Sequence, residues 1–134
     1  MKITEILKQN KKTISFEVFP PKTDSAFESI RYATEEIAAL KPAYMSVTYG
    51  AGGGTSKYTV DIAKNIEKRY NVPALAHLTC LSSSRDAVQA QISDMRAAGI
   101  ENVMALRGDV PKDGEASSRD YRYAYQLVAE LASA

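Results

Sequence analysis

Four apolar runs begin near residues 14, 44, 74 and 102, at intervals of 30, 30 and 28 residues. Apolar residues at helical spacing follow each run, so the chain reads as one βα unit used four times. Strands that alternate with helices predict a parallel sheet, because a parallel neighbour is reached only through a long crossover. The runs also end alike, on polar or charged groups: Glu17 in the first, Thr48-Tyr49-Gly50 in the second, His77-Leu78-Thr79 in the third and Arg107-Gly108-Asp109 in the fourth. If those ends meet on one rim, they surround a ligand.

The segments between follow the same logic. Ile3, Ile6 and Leu7 predict a short leading helix over one end of the core. Ile14 to Phe19 alternates strictly and stops at Pro20-Pro21, which lack backbone donors. Ser25-Ala26-Phe27-Glu28 has the form of a capping box. Phe27, Ile30, Ile37 and Leu40 mark the buried face of the helix that follows, and Pro42 ends it. Tyr44 to Tyr49 is the second strand. Gly50-Ala51-Gly52-Gly53-Gly54 follows, with Thr55 or Ser56 capping a helix to about Tyr70 that buries Val60, Ala63 and Ile66. Ala74 to Thr79 is the third strand. Ser82-Ser83-Ser84 opens the next helix, with Val88, Ile92 and Met95 inward and Gly99 as a left-handed cap. Asn102 to Arg107 is the fourth strand. A polar loop, Pro111 to Ser118, leads to a last helix bearing Ala124, Val128 and Leu131.

Two architectures compete, an open doubly wound sheet and part of an eight-fold barrel. A sheet covered by helices on both faces would read as continuous aliphatic runs. Here Ser15 and Glu17, Ser46 and Thr48, His77 and Thr79, and Ala105 and Arg107 form a polar or small phase. Phe16, Val18, Val47, Leu78 and Met104 form the phase predicted to meet helices. The alternation favours parallel units of a TIM-type barrel, four of eight. With 134 residues, 45% hydrophobic and 25% charged, the chain fits one soluble domain over 1–134. A full barrel takes about 250 residues. Either the chain is the N-terminal half of a longer barrel, the favoured reading, or two half-barrels assemble as a homo-oligomer.

A net charge of +1 with well-mixed signs gives no footprint for nucleic acid or a membrane surface. The N-terminus does not resemble a signal peptide. Cys80 is the only cysteine, which fits a reducing cytoplasm and a packed thiol. One histidine and one cysteine make no metal-ligand set.

Glu17 is the most informative single residue. Two readings stand: a carboxylate poor in water acting as general acid, or a structural partner of a base such as Arg107. His77, the sole histidine, either bonds a ligand or is satisfied in the core. The run from Gly50 to Gly54 could bring backbone amides to a phosphate or a flat ring, or be a plain barrel loop. Asp109 is either a ligand-facing acid or a turn residue. Tyr121, Tyr123 and Tyr125 read as helix surface and packing residues, one of which could stack on a ligand.

Ser15-Phe16-Glu17-Val18-Phe19-Pro20-Pro21-Lys22, Ser46-Val47-Thr48-Tyr49-Gly50-Ala51, His77-Leu78-Thr79-Cys80 and Ala105-Leu106-Arg107-Gly108-Asp109 together resemble the methylenetetrahydrofolate reductase family in order and spacing. The resemblance covers the whole chain and about the first half of that family's barrel. It implies FAD-dependent reduction of 5,10-methylenetetrahydrofolate to 5-methyltetrahydrofolate, with NADH or NADPH as hydride donor, in cytoplasmic one-carbon and methionine metabolism. It implies that Glu17 supplies the proton that opens the folate ring, and that Asp109 lies near flavin and folate and tunes both. It implies FAD contacts at Thr48, Tyr49, Ala51, His77, Arg107, Gly108 and Asp109. Tyr123 and Ala124 join that set, since Tyr-Ala-x-x-Leu-Val resembles the family's fourth helix. The choice between NADH and NADPH is not written in a motif. A non-catalytic flavin- or folate-binding half-barrel module is the alternative.

Overall fold

The computed structural model describes residues 1–9, 12–21, 24–49, 56–110 and 120–134. The elements in order are α1 (Ile3–Gln9), β1 (Ser15–Val18), a 3-10 turn (Asp24–Ala26), α2 (Phe27–Ala39), β2 (Tyr44–Val47), α3 (Ser56–Tyr70), β3 (Ala74–Thr79), α4 (Arg85–Ala98), β4 (Val103–Leu106) and α5 (Ala124–Ser133). The four strands form one parallel sheet in the order β1-β2-β3-β4. No strand order reverses within these four, as a doubly wound sheet would require at its switch point. Parallel strands alternating with helices in this unbroken order are consistent with a partial TIM-type barrel.

Register and burial separate the two faces. Glu17 stands opposite Ser46, and His77 opposite Met104, on one face. Val18, Met45, Val47, Ala74, Ala76 and Leu78 are buried in the opposite phase and share the core with Ile62, Ala63 and Ile66 of α3. The fourth strand corrects the sequence expectation. Ala105 stands opposite Leu78 and packs against the core, so it is on the helix-covered face, while Met104 turns to the face of Glu17 and His77. An Ala and a Met carry little phase information in a short strand, and the partner strand decides.

Other differences also have simple causes. The start of α2 differs from the expected capping box: the 3-10 turn intervenes, and Ala26, which has no side-chain cap hydrogen bond, is the N-cap. Leu7, Leu40 and Val128 are exposed, whereas Thr34, Ala38 and Leu127 take the buried positions. Each of these exposed residues lies near an element's end or beside a more central residue that fills the contact. The expectations for α4 hold in detail. Ser84 accepts the Ala87 N–H at 3.2 Å, and Gly99 adopts φ 79° as a left-handed cap. The glycine run with Ala51, residues 22 and 23, and the polar loop from 111 to 118 lie outside the described residues.

Asn102, just before β4, is buried and ties the N-terminal edge together. Its Oδ1 accepts the Ile3 N–H at 2.9 Å, and its Nδ2 donates to Met1 O at 3.1 Å and Ala74 O at 3.3 Å. One amide thus joins α1 to β3 and β4. Replacing Asn102 with Ala removes these bonds, and those to Ile3 N–H and Ala74 O are buried. We expect Asn102→Ala to lower the unfolding free energy by about 2 kcal/mol, read as a lower urea midpoint at unchanged slope; an unchanged midpoint would show that the clamp contributes nothing.

Candidate functional site

Because all four strands are parallel, the segments that follow them emerge at one edge of the sheet. Thr48, Cys80 and Arg107 therefore begin loops on the same rim, and the Arg107 carbonyl accepts the N–H groups of Cys80 at 3.3 Å and Leu81 at 2.8 Å. The Thr48 N–H donates to Val18 O at 3.0 Å, and Thr48 O accepts the Thr59 hydroxyl at 2.9 Å, which pins the end of β2 to α3. Tyr49 is half-buried against the core.

The polar face carries a three-residue cluster. Ser46 Oγ donates to Glu17 Oε2 at 2.8 Å, and His77 Nε2 lies 3.5 Å from the same oxygen. Glu17 and His77 belong to β1 and β3, with β2 between them. Strands two apart in a flat sheet are separated by about 9–10 Å, so concave curvature of the sheet helps these side chains to meet. The Glu17 side chain is 47% exposed, which corrects the expectation of a carboxylate already short of water. Its partners are Ser46 and His77, not Arg107. The exposed Arg107 bonds its own neighbour, Nε to Gly108 O at 3.2 Å.

Gly108 follows with φ 83°, and a Cβ built there would come within 3.1 Å of the Thr79 side chain. Only glycine takes both the left-handed backbone and that close approach without strain. Asp109, next in the chain, is exposed on the same rim. Cys80 is fully buried, with its Sγ 3.9 Å from Arg107 O and from Tyr123 O, and burial pushes its thiol up. It fills the space between two rim segments, as a packed thiol would. Tyr123 presents an exposed ring, stacked on Tyr125 at 5.9 Å between centroids. Its backbone is held by Gln126, whose Oε1 accepts the Tyr123 N–H at 3.0 Å.

Of the three tyrosines read as surface and packing residues, Tyr121 is the packed one. It is a core residue, 1% exposed, with the Arg85 guanidinium 5.9 Å from its ring centre and Glu130 nearby. Burial first, then the Glu130 carboxylate, pushes its hydroxyl up to about 12. Arg85 also pairs with Glu130 at 3.1 Å, so this cluster joins α4 to α5 and sets the base of the Tyr123 segment. Nothing in the Tyr-x-Tyr-x-Tyr pattern distinguishes the buried ring from the exposed ones. Ser46 was legible as a polar-face residue, but its bond to Glu17 appears only in three dimensions.

A hollow of about 1290 Å³ lies at the opposite edge, among Ile14, Ala43, Val72, Pro73 and Glu101, which precede the strands. It holds neither Glu17 nor His77. The chemistry-bearing groups sit on the C-terminal rim, where parallel α/β folds bind their ligands, and that edge is the candidate site. Among the described residues no helix is long and apolar enough to cross a membrane, and no group of three His, Cys, Asp or Glu residues could hold a metal ion.

Burial lowers the pKa of His77 from 6.5, and the Glu17 carboxylate opposes this in part. The folded chain therefore binds fewer protons than the unfolded chain as pH falls. The neutral imidazole's contribution is fully present above pH 6.5 and is lost as pH falls from 6.5 through the lowered folded value. Glu67, raised by burial, acts in the opposite sense, so a paired comparison is needed. We expect wild type to lose stability relative to His77→Gln as pH falls from about 7.5 to about 5.5, measured by urea unfolding; parallel pH curves would contradict the shift.

Known proteins resemble this chain along most of its length. The family model described as methylenetetrahydrofolate reductase matches residues 2–134. The 5,10-methylenetetrahydrofolate reductase of Pectobacterium carotovorum subsp. carotovorum is 37% identical over 123 residues, covering 92% of this chain and 40% of that protein. The protein of the same name from Escherichia coli strain K12 is 36% identical, with the same coverage. Methylenetetrahydrofolate reductase (NADH) 1 of Arabidopsis thaliana is 34% identical over 110 residues, 82% of this chain and 19% of that one. The chain thus spans about 40% of the length of these bacterial relatives. With the family match running through all four βα units, the chain belongs to the methylenetetrahydrofolate reductase family.

Proposed function

We propose that this chain is the N-terminal half of a (β/α)8 barrel that reduces 5,10-methylenetetrahydrofolate to 5-methyltetrahydrofolate, with FAD as cofactor and NADH or NADPH as hydride donor. The observation that carries the reading is the Glu17–Ser46–His77 cluster on the polar face of the sheet, beside the rim bearing Arg107, Gly108 and Asp109. The setting is cytoplasmic one-carbon metabolism leading to methionine, and the partner is the remainder of the barrel. Neither nucleic acid nor a membrane has a part in it.

The rim has the chemistry that a flavin dinucleotide needs. The exposed Arg107 offers guanidinium donors to a phosphate. Gly108 lets the backbone come close, and the exposed Tyr123 ring offers an aromatic face. Thr48, Tyr49 and Asp109 follow strands on the same rim, His77 stands in β3 and Ala124 begins α5, and Ala51 would complete the set. FAD, when bound, carries hydride between the nicotinamide and the folate. The chain's own residues do the rest. Glu17 gives a proton to the folate ring nitrogen as the ring opens, and Asp109 places negative charge near the cation that develops. Glu17 is still half open to water, so the cover that a general acid benefits from has to come from the other half of the barrel.

In the whole enzyme, Glu17→Gln should leave flavin reduction by NAD(P)H intact and slow folate reduction by about 10²–10⁴-fold, the range for loss of a general acid. Stopped-flow absorbance of the two half-reactions separates them. Equal loss in both would remove Glu17 from the acid role. Flavin binding without bleaching by NAD(P)H would favour a binding module over an enzyme.

A further inference from the structure

Glu17 is held from one side only. Its Oε2 takes both contacts, the Ser46 hydroxyl at 2.8 Å and His77 Nε2 at 3.5 Å, and among the described residues Oε1 has no protein partner. A glutamate as open as this one would otherwise sample several rotamers. Ser46 is positioned to prevent that. It stands directly opposite Glu17 in the register, and it is buried, so its hydroxyl has little water to turn to. His77 Nε2 stands beside the same oxygen at 3.5 Å, buried and without a hydrogen-bond partner, and Glu17 is the charged group that acts on it.

We propose that Ser46 is a positioning residue: through its bond to Oε2, with His77 behind it, it fixes the Glu17 carboxyl and reserves Oε1 for the substrate. The inference rests on the reading of Glu17 as proton donor. With Oε2 engaged as acceptor, the acid proton resides on Oε1. In the transfer the O–H bond at Oε1 breaks and an N–H bond forms on the substrate nitrogen. The negative charge left on the carboxylate is met at Oε2 by the Ser46 hydroxyl, a charge-assisted bond stronger than the one to the neutral acid. Ser46 therefore acts through Glu17 and favours the state after proton release.

The sole histidine makes the test clean, because its ring gives one set of NMR signals. The pH titration and tautomer of His77 are followed in the ligand-free chain for wild type, Ser46→Ala, Ser46→Thr and Glu17→Gln. The alanine variant should move the His77 signals toward those of Glu17→Gln, and threonine, which keeps the hydroxyl, should restore wild-type behaviour. In the whole enzyme, Ser46→Ala should slow the folate half-reaction about tenfold, as expected for loss of one charge-assisted hydrogen bond to the reacting acid. The folate KM and the NAD(P)H–flavin half-reaction should stay within about twofold. If the alanine variant does not fold, Ser46→Cys, a similar shape with a weaker donor, takes its place. An alanine or cysteine variant with wild-type His77 titration and folate rate overturns the inference, as does a threonine variant impaired as much as alanine. If Glu17→Gln itself leaves the folate half-reaction unchanged, the proton-donor reading fails, while the His77 signals still report whether Ser46 holds the carboxyl.

Discussion

Each strand of this sheet is parallel to its neighbours, and that one constraint organises the rest. A parallel neighbour is reached through a crossover, and crossovers of one hand along an unreversed strand order bring their helices to one face. That face takes the apolar load: Met45, Val47, Ala74, Ala76 and Leu78 are all fully buried there. On the opposite face Glu17 and Met104 stand exposed, so it holds groups that a helix-covered face would exclude. Glu17, Ser46 and His77 stand on it because the strands have only two faces and the other is full.

Contact across β2 gathers polar groups on that face. Glu17 and His77 come from strands that are not neighbours, yet their polar atoms lie 3.5 Å apart over Ser46. The two ends of the sheet then divide the work. At the N-terminal edge, Asn102 uses its amide on backbone groups of Met1, Ile3 and Ala74, which is a structural use of polarity. At the C-terminal edge the backbone groups are paired among the loops themselves, as in the bonds from Cys80 and Leu81 to Arg107. The side chains of Arg107 and Asp109 stand exposed there. The buried Cys80 thiol and the Tyr121 cluster support that rim from beneath.

Much of this was legible beforehand where a residue type has one strong physical preference. Gly99 as a left-handed cap and Ser84 as an N-cap were readable because few other residues serve there. Ala74 to Thr79 as a strand was readable because its apolar run is bounded by Pro73 and a serine cluster. The reading weakened where preferences are soft. Met104 and Ala105 exchanged faces, Leu127 replaced Val128 as the buried residue of α5, and the Ser25 capping box did not form. In each case packing against a distant element outweighed a local preference worth about 1 kcal/mol or less.

The sequence by itself determined the βα period, the parallel class and the set of polar residues at the strand ends, and its four motifs carried the family resemblance. The first three follow from periodicity and residue type, which are local. Only the tertiary structure decided which oxygen of Glu17 is held and by whom, that Arg107 is not its partner, and that Tyr121 belongs to the core. Those are matters of register between strands 29 or more residues apart and of the curvature of a whole sheet. Such relations depend on how distant segments pack together, and no short stretch of chain records them.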